Sequence, residues 1–407
     1  MTTRPQSLGV DYWKLWTAAT VSNLGDGIRF AALPLLAATI TSDPILVAGT
    51  VVASQLPWLL VAIVSGALVD RLDRRVVMWT ANLFRAVAMG LLGLMVHVGS
   101  DHLILIYLIV FSMGVAETFF DSASLAMIPS LVKESDLERA NGPLEASIAF
   151  NQTFAGPPLG ALLFALAASS PFFVDAASFA VGAVIVVSIK GSFRPEEREG
   201  PLFADLRTGI WEGIRWVWQH QALSKVMIIA AAANMVFYAT FSIRVLFARE
   251  VLGLDSRAFG ILMAAEGAGA IVGAILAGRV SAKVGRGHAL LMVLVVLIFS
   301  NVMFGLMSSP IIAGIALAVG GAGVSLWNVV VISIMQSVTP DRLLGRMMSV
   351  LNTVSWGAIP VGAALGGVVA RAFDLRLPYI LGAAIVVLTV PVALRLVAAL
   401  EHGTDIA

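Results

Sequence analysis

The chain has 407 residues, of which 59% are hydrophobic and 13% charged, and its mean hydropathy is +0.92. Soluble globular proteins carry about 25% charged residues, so this composition excludes an ordinary soluble domain and indicates a membrane protein. The formal net charge of +1 gives no indication of a nucleic-acid partner, and the lack of cysteine excludes disulfides, zinc–thiolate sites and cysteine nucleophiles. The polar N-terminal stretch leads into an apolar segment that is too long for a signal peptide.

Long apolar segments follow one another along the chain. A helix needs about 20 mostly apolar residues to cross the hydrocarbon core of a bilayer. The hydropathy pattern predicts six such spans, a polar stretch and six further spans, near residues 14–40, 45–69, 76–98, 103–127, 143–168, 171–189, 223–248, 257–279, 288–308, 310–334, 348–371 and 377–398. The predicted fold is an all-α membrane protein with twelve transmembrane helices in two halves, 1–189 and 223–407, joined by a cytoplasmic linker over 190–222.

The linker contains one segment with a helical pattern. In LFADLRTGIWEGIRWVWQH (202–220), apolar side chains from Leu206 to Trp218 recur at helical spacing. This pattern predicts an amphipathic helix in the cytoplasmic interface, where tryptophan prefers to lie. The alternative is an early start of span 7.

Basic residues are distributed unequally between the two sides of the predicted spans. Nineteen lysine and arginine residues fall on the side that holds both termini and the linker, and four fall on the opposite side. Because lysine and arginine are enriched in cytoplasmic loops, both termini are predicted to be cytoplasmic.

The two halves of the chain resemble each other. A shift of 212 residues places GALVDRLDRR (66–75) over GRVSAKVGRG (278–287), so that glycines and basic residues coincide. Recurrence at a fixed period indicates a duplicated architecture. It therefore predicts two pseudo-symmetric six-helix halves.

Several motifs resemble those of a known family. GALVDRLDRR resembles the loop 2–3 signature of the major facilitator superfamily, with Asp73 where glycine usually stands, and AGPPLGA (155–161) resembles the G-P-x-x-G signature of its drug exporters. Three further segments are similar to those of the drug:proton antiporter group, which includes macrolide efflux proteins and the enterobactin exporter. They are SNLGDGIRFAALPLL, DSASLAMIP and VDAASF. The resemblance covers essentially the whole chain. It implies a substrate site at the midplane between the halves, with spans 1, 4, 7 and 10 lining the cavity.

The charged loop after span 2 has two interpretations. Its basic residues hold the topology, but this does not account for the acid at position 70. The resemblance implies instead a cytoplasmic gate in which Asp70 accepts hydrogen bonds from the start of span 11, a position that favours a carboxylate. The residues of this gate are Gly66, Asp70, Arg71, Arg74, Arg75 and Arg346.

The loop after span 2 and span 5 each contain a residue pattern that affects helix geometry. Asp73, in place of the usual glycine, is expected to tolerate a left-handed turn. In span 5, Gly156, Pro157 and Gly160 predict a kinked, closely packed helix. The resemblance implies that this antiporter motif seals the exporter against passive leak.

Ionisable residues inside the spans are functional candidates, because a charge at the bilayer centre costs at least about 2.5–3.5 kcal/mol. Asp26 and Arg29 share one face of span 1, so they either serve the cavity or form a self-contained ion pair. Glu117 and Asp121 share a face of span 4, where their repulsion favours protonation of one of them. We expect Arg85 to neutralise Asp121, which leaves Glu117 the freer acid.

Three further charges lie in other spans. Glu266 in span 8 is surrounded by small residues, and it either serves the cavity or bonds to a neighbouring helix. Asp175 and Arg244 lie near the predicted external ends of spans 6 and 7, and we expect them to be structural. Span 4 lacks the arginine that many exporters carry there for proton transfer.

Uncharged polar and aromatic residues complete the candidate cavity. A ligand pocket is largely apolar with a few convergent polar groups, which suits an amphiphilic organic solute. The candidates are Asn23, Asn151, Gln152, Asn234, Trp327, Asn328, Asn352 and Trp356. Each is alternatively a hydrogen-bonding link between helices.

No motif for catalysis, ATP binding or metal binding is present, so neither an enzyme nor a cofactor is predicted. The leading hypothesis is secondary active efflux of amphiphilic small molecules, drugs or siderophore-like metabolites, by proton antiport and alternating access. The expected location is the plasma membrane of a bacterium, and the expected partners are the substrate, protons and lipid, with the protein a monomer. The alternatives are a proton-coupled nutrient symporter and a lipid flippase of the same fold.

Overall fold

The computed structural model describes residues 8–100, 102–194, 220–338 and 341–402. All the regular secondary structure of these residues is helical, which confirms the predicted all-α fold. We number the twelve long helices of this part of the chain α1 to α12; α2 and α5 each combine neighbouring helical segments, and the short segments Glu134–Asp136, Arg244–Leu246 and Phe247–Val251 are left unnumbered. They are α1 Val10–Ile40, α2 Pro44–Leu60 with Ala62–Val69, α3 Arg74–His97, α4 Leu103–Leu131, α5 Leu137–Ala149 with Phe150–Ala155 and Gly156–Leu166, α6 Ser170–Val187, α7 Gln221–Phe241, α8 Ser256–Val284, α9 Arg286–Leu306, α10 Pro310–Val338, α11 Asp341–Ala372 and α12 Leu377–His402.

Eight of these helices are long and apolar enough to cross a membrane by length and composition alone. Two shorter apolar helices, Pro44–Leu60 and Trp356–Ala372, add to them. Large apolar side chains such as Leu91, Ile261 and Leu388 are exposed on the outer faces. A surface of this kind is suited to lipid rather than to water.

Proline explains the interruption of α5. The segment Phe150–Ala155 is a π-helical turn, and the α-helical segment Gly156–Leu166 follows it directly. Pro157 and Pro158 have no backbone N–H group, so two helical hydrogen bonds cannot form at this point. The amide of Gly156 instead donates to the carbonyl oxygen of Asn151, five residues earlier, the spacing of a π-turn.

Many helices begin or end beyond the spans predicted from hydropathy. Helix α11, for instance, begins at Asp341 rather than near residue 348, and α8 extends to Val284 rather than to about residue 279. The hydropathy signal marks only the apolar part of a helix, whereas polar turns at its ends remain helical. Gly285 separates α8 from α9 by a single residue, with a φ of +82° that favours glycine.

The chain divides into two compact units. Unit 1 takes its described residues from 1–33 and 56–200, and unit 2 from 34–55 and 201–407. The end of α1 and the start of α2 therefore belong to unit 2, although they lie early in the chain. The predicted amphipathic helix over 202–220 lies outside the described residues, apart from its last position.

In unit 1, α3 packs against α4 and α6. Glycines allow α1 to approach the backbone of α5. A Cβ atom at Gly27 would meet the backbone of Asn151 and Gly156, and one at Gly160 would meet the backbone of Ile28. Small residues permit this close packing between helices in membranes, and the predicted close packing of the Gly156–Gly160 motif is present.

Unit 2 repeats this arrangement. Helix α9 packs against α10 and α12, as α3 packs against α4 and α6. Helix α11 meets α7 through Gly362 and Gly366, whose Cβ positions are occupied by the backbone of Met235 and Ala239. The corresponding contacts support the internal repeat that the sequence predicts.

The early segment of unit 2 is held by its own contacts. Asp43 forms an ion pair of 3.0 Å with Arg371 at the end of α11, and Arg249 donates a hydrogen bond to the carbonyl oxygen of Ala38. A Cβ atom at Gly367 would lie 2.9 Å from the carbonyl oxygen of Pro44. These contacts join the α1–α2 connection to the C-terminal helices.

Candidate functional site

A cluster of charged side chains lies inside unit 1. Arg29 on α1 and Arg85 on α3 are buried, and both donate hydrogen bonds to the Oδ1 atom of Asp26. The Nη2 atom of Arg29 lies 2.6 Å from this oxygen. Guanidinium–carboxylate hydrogen bonds are among the strongest in proteins. Asp26 and Arg29 therefore form the ion pair within α1 that their spacing indicates, but the pair is not self-contained, because Arg85 joins it.

Glu117 on α4 is the second acid of the cluster. The Nη2 atom of Arg29 donates to its Oε2 atom at 2.8 Å, and Arg85 Nη2 lies 3.8 Å from the same oxygen. Arg29 thereby connects α1 to α4. The expectation that Glu117 is the freer acid is wrong, because both arginines face it.

Asp175 on α6 is the third acid, and it has the weakest connection. Its Oδ2 atom lies 3.6 Å from Arg29 Nε, and its side chain is completely buried. Within the described parts of the chain, neither of its carboxylate oxygens has a hydrogen-bond partner. A Cβ atom at Gly25 would meet Asp175 Oδ1 and Ser178 Oγ, so the backbone of α1 covers this carboxylate directly.

Asp121 lies one turn beyond Glu117 on α4. It forms no ion pair with any residue that the structure describes, and Arg85 pairs with Asp26 and Glu117 instead. The expected pair between Arg85 and Asp121 is therefore wrong. The partner of Arg85 depends on the rotation of α3 about its own axis, which sets the face that α3 presents to α1. The hydropathy pattern does not predict this rotation.

Uncharged groups hold Arg85 in place. Its Cζ atom lies 3.9 Å from the centroid of the Phe179 ring, within range of a cation–π contact. Its Nη1 atom lies 3.5 Å from Asn82 Oδ1, and Asn82 donates to Ser22 Oγ at 3.0 Å. Arg85 is thus a member of the site, although the sequence indicated only a structural role. Its sequence signal is a single arginine inside span 3.

The composition of the cluster determines its chemistry. Asp26, Glu117 and Asp175 surround the two guanidinium groups, and Asp121 is adjacent. The acids outnumber the bases, and a surplus of buried negative charge is unfavourable unless a proton or another cation neutralises it. Such a cluster can bind and release protons. No group of three or more histidine, aspartate or glutamate side chains suited to a metal ion was found among the described residues.

Three of the predicted cavity residues form links between α1 and α5. Gln152 Nε2 donates to Asn23 Oδ1 at 2.8 Å, and Asn151 Nδ2 donates to the carbonyl oxygen of Thr20 at 2.9 Å. Asn23 Nδ2 donates to the carbonyl oxygen of Ala19. The first two bonds correspond to the alternative of interhelical links, whereas the third lies within α1.

A second, smaller ion pair lies in unit 2. Arg244 Nη1 donates to Glu266 Oε2 on α8 at 2.6 Å. The Cζ atom of Arg244 lies 5.7 Å and 5.4 Å from the ring centroids of Phe237 and Phe241 on α7, distances at which a cation is attracted to an aromatic face. Glu266 is therefore bound to a neighbouring element, the second of the alternatives for this residue.

The other predicted cavity residues in unit 2 are dispersed. Asn234, Trp327 and Trp356 are half-buried, and Trp327 packs against the core formed by α7, α9, α10 and α12. Asn328 is exposed. The side chain of Asn352 lies outside the described residues, so its predicted role stays a prediction.

The loop between α2 and α3 has a defined structure. Asp70 ends α2, and its amide donates to the carbonyl oxygens of Gly66 and Leu68. Asp73 has a φ of −67°, and its carboxylate accepts hydrogen bonds from the amides of Arg75 and Val76. Asp73 therefore does not adopt a left-handed conformation, and it caps the N-terminus of α3 instead.

The basic residues of the same loop bind the neighbouring helix ends. Arg75 Nη1 donates to the carbonyl oxygens of Ile189 and Gly191 at 2.7 Å and 3.2 Å, and Arg74 Nη1 donates to Ser130 Oγ at 3.2 Å. The loop therefore fastens α3 to the ends of α6 and α4. The side chain of Arg346, the predicted gate partner, lies outside the described residues.

Comparison with known proteins relates this arrangement to a family. The sequence model of the family described as "Transmembrane secretion effector" matches residues 7–406. The multidrug efflux pump Tap of Mycolicibacterium fortuitum is 26% identical, over 89% of this chain and 90% of that protein. The pump of the same name from Mycobacterium tuberculosis (strain ATCC 25618 / H37Rv) is 27% identical, over 94% and 93%.

Solved structures share the fold. A bacterial homologue of the iron transporter ferroportin, in an inward-facing state, matches with a TM-score of 0.74 and 15% identity, over 96% of this chain and 100% of that one. A bacterial homologue of the human lysosomal transporter Spinster matches with a TM-score of 0.68 and 14% identity, over 96% of each chain. At these identities the likeness concerns the fold alone.

Proposed function

Because this chain belongs to the transmembrane secretion effector family of the major facilitator superfamily, and is therefore a multi-pass membrane transporter and not an enzyme, we propose that it exports amphiphilic small molecules in exchange for protons. The expected location is a bacterial plasma membrane with both termini in the cytoplasm. The expected partners are the exported molecule, protons and lipid, and the expected state is a monomer. The relatives that are named multidrug efflux pumps support export of drug-like compounds.

The observation that carries the proposal is the charged cluster of unit 1. An antiporter needs a buried group that is protonated at one stage of its cycle and deprotonated at another. Asp26, Glu117 and Asp175 share two arginines at the meeting of α1, α3, α4 and α6. A proton added to one acid changes which acids the arginines bind, because the guanidinium groups follow negative charge.

The hydrogen bonds of Arg29 couple proton binding to helix movement. This residue bonds both to Asp26 on its own helix and to Glu117 on α4. When an acid of the cluster gains or loses a proton, the competition of the acids for Arg29 changes, and with it the strength of the link between α1 and α4. Proton binding to the cluster and the packing of α1 against α4 are therefore coupled, so that each shifts the equilibrium of the other.

The direction of transport is supported by the small-residue packing of α5. Gly156, Pro157 and Gly160 are buried, and the two glycines touch the backbone of α1. This is the region that resembles the signature of drug exporters. A nutrient symporter or a lipid flippase has no corresponding support from the described contacts.

The decisive experiment uses purified protein in liposomes. The substrate is first identified by thermal-shift screening against a panel of antibiotics and siderophores. We expect an imposed pH gradient to drive movement of that compound against the proton flow, and the movement to stop when a protonophore collapses the gradient. Transport that ignores the gradient would contradict proton antiport, and movement in the direction of proton flow would identify a symporter.

A further inference from the structure

Asp175 differs from the other acids of the cluster in the way it is bound. Asp26 accepts hydrogen bonds from both arginines, and Glu117 accepts one from Arg29 at 2.8 Å. Asp175 faces only the Nε atom of Arg29, at 3.6 Å. Of the described residues, none forms a hydrogen bond with either carboxylate oxygen of Asp175, although its side chain is fully buried.

The surroundings of Asp175 do not support a negative charge. The charged groups that act on it electrostatically are Arg29 and Asp26 on α1, Arg85 on α3 and Glu117 on α4, and only Arg29 lies within ion-pair distance. The two arginines are already engaged by the two other acids. An ionised carboxylate that is buried without hydrogen bonds is far less favourable than the neutral acid, and neighbouring carboxylates add repulsion.

We propose that Asp175 holds the exchanged proton in this conformation, and that the backbone of α1 at Gly25 shields it from water. This inference rests on the proposed antiport. Glu117 and Asp26 keep their negative charges on the arginines, and Asp175 stays neutral. Asp175 can then be protonated while the hydrogen bonds that join α1, α3 and α4 are all kept.

The shielding depends on a glycine. A Cβ atom at Gly25 would lie 2.2 Å from both Asp175 Oδ1 and Ser178 Oγ, which is closer than van der Waals contact, so the α1 backbone lies directly over the carboxyl group. Water reaches Asp175 only when α1 moves away from α6. Release of the proton is therefore tied to displacement of α1, which couples the chemical step to the conformational one.

The proton balance of the step is simple. A proton that enters from outside binds the Asp175 carboxylate and forms an O–H bond. When α1 separates from α6, this bond breaks and the proton passes to water on the other side. Asp175 then carries a negative charge and competes with Asp26 for Arg29, whose Nε atom already faces it.

Infrared spectroscopy of purified protein tests the inference without any transport assay. A buried protonated carboxylic acid gives a carbonyl-stretching band separate from that of carboxylates. We expect the wild-type protein at neutral pH to show such a band, with slow exchange in heavy water. The band should be lost in Asp175→Asn, shifted in Asp175→Glu, and kept in Glu117→Gln and Asp26→Asn.

Two results would overturn the proposal. One is a wild-type protein without a protonated-acid band at neutral pH, a measurement that needs no variant to fold. The other is a band that persists in folded Asp175→Asn and disappears in Glu117→Gln, which would assign the proton to Glu117. If Asp175→Asn does not fold, the frequency shift in Asp175→Glu decides the assignment.

A transport assay separates this inference from the antiport itself. In liposomes, Asp175→Asn should bind the substrate and lose pH-gradient-driven export, whereas Asp11→Asn, which removes an acid paired with Lys14 outside the cluster, should export normally. If the wild-type protein does not couple export to protons, the antiport fails. If it does, and Asp175→Asn still exports at the wild-type rate, only the assignment to Asp175 fails.

Discussion

Arg29 and Glu117 are joined across two helices by a hydrogen bond of 2.8 Å between guanidinium Nη2 and carboxylate Oε2. The same Nη2 atom lies 2.6 Å from Asp26 Oδ1. One nitrogen therefore serves two acids that are 91 positions apart in the chain. Removal of the charge from either acid leaves Arg29 bound to the other, which makes the pair suitable for substitution by amides.

Glu117→Gln should abolish coupling without unfolding the protein. Glutamine keeps an oxygen that accepts from Arg29 but carries no negative charge, so the attraction that joins α1 to α4 is weakened. We expect pH-gradient-driven export in liposomes to fall by about tenfold or more, which corresponds to about 1.4 kcal/mol, with substrate binding retained. A rate equal to that of the wild type would show that Glu117 does not take part in the proton cycle.

Arg85→Met should destabilise the protein, because it leaves Asp26 and Glu117 with one shared arginine inside the bundle. Breaking a buried ion pair from one side costs about 3–5 kcal/mol. Addition of Asp26→Asn to this variant should recover part of the loss, since the uncompensated charge is then removed. Thermal unfolding of the single and double variants in detergent measures both effects.

An exposed ion pair provides the comparison for Arg85. Lys14 lies 2.9 Å from Asp11 near the start of α1, and both side chains are partly exposed. Lys14→Met should cost at most about 1 kcal/mol, as is usual for surface pairs. Equal losses in Lys14→Met and Arg85→Met would contradict the central position of Arg85 in the cluster.

Asp73 should contribute to stability through its capping bonds. Asp73→Ala removes the acceptor for the amides of Arg75 and Val76, and loss of such a cap costs about 0.5–2 kcal/mol. Asp73→Asn keeps an acceptor oxygen and should retain most of the stability. The midpoints of thermal unfolding distinguish the two variants. Identical midpoints would mean that the cap is not the stabilising feature of this residue.

The distribution of basic residues predicts the orientation in the membrane. A phosphatase reporter, which is active only outside the cytoplasm, should be silent when it is fused to the C-terminus. The same reporter inserted between α3 and α4 should be active. Export activity of each fusion serves as the control for correct insertion. Phosphatase activity at the C-terminus would contradict cytoplasmic termini.

Hydropathy and repetition predicted most of the fold, because each span carries its own signal. The helix type, the order of helices and the presence of charges inside the spans at 26, 29, 85 and 117 all follow from single segments. The partners of those charges do not. Arg85 binds Asp26 rather than Asp121 because of the rotation of α3, which depends on contacts such as Phe179 and Asn82.

Asp175 shows that the sequence also does not predict the depth of a residue along the helix axis. Its position near the start of span 6 indicated a site near the membrane surface, yet it faces Arg29 in the cluster. The depth of a residue depends on how neighbouring helices are displaced along their axes, and glycines at 25 and 27 allow α1 to pack directly on its neighbours. Sequence periodicity contains no measure of that displacement.

The π-helical turn of α5 acts as a correction of helical phase. In an α-helix, successive residues are rotated by about 100°, so positions 151 and 156 would point in different directions. The π-turn places them in line, and both meet Gly27. An ordinary α-helix over the same six residues would rotate Gly160 by about 100° and turn it away from Ile28. The π-turn therefore accommodates one residue more than an α-helix would, and Gly156 and Gly160 still face α1.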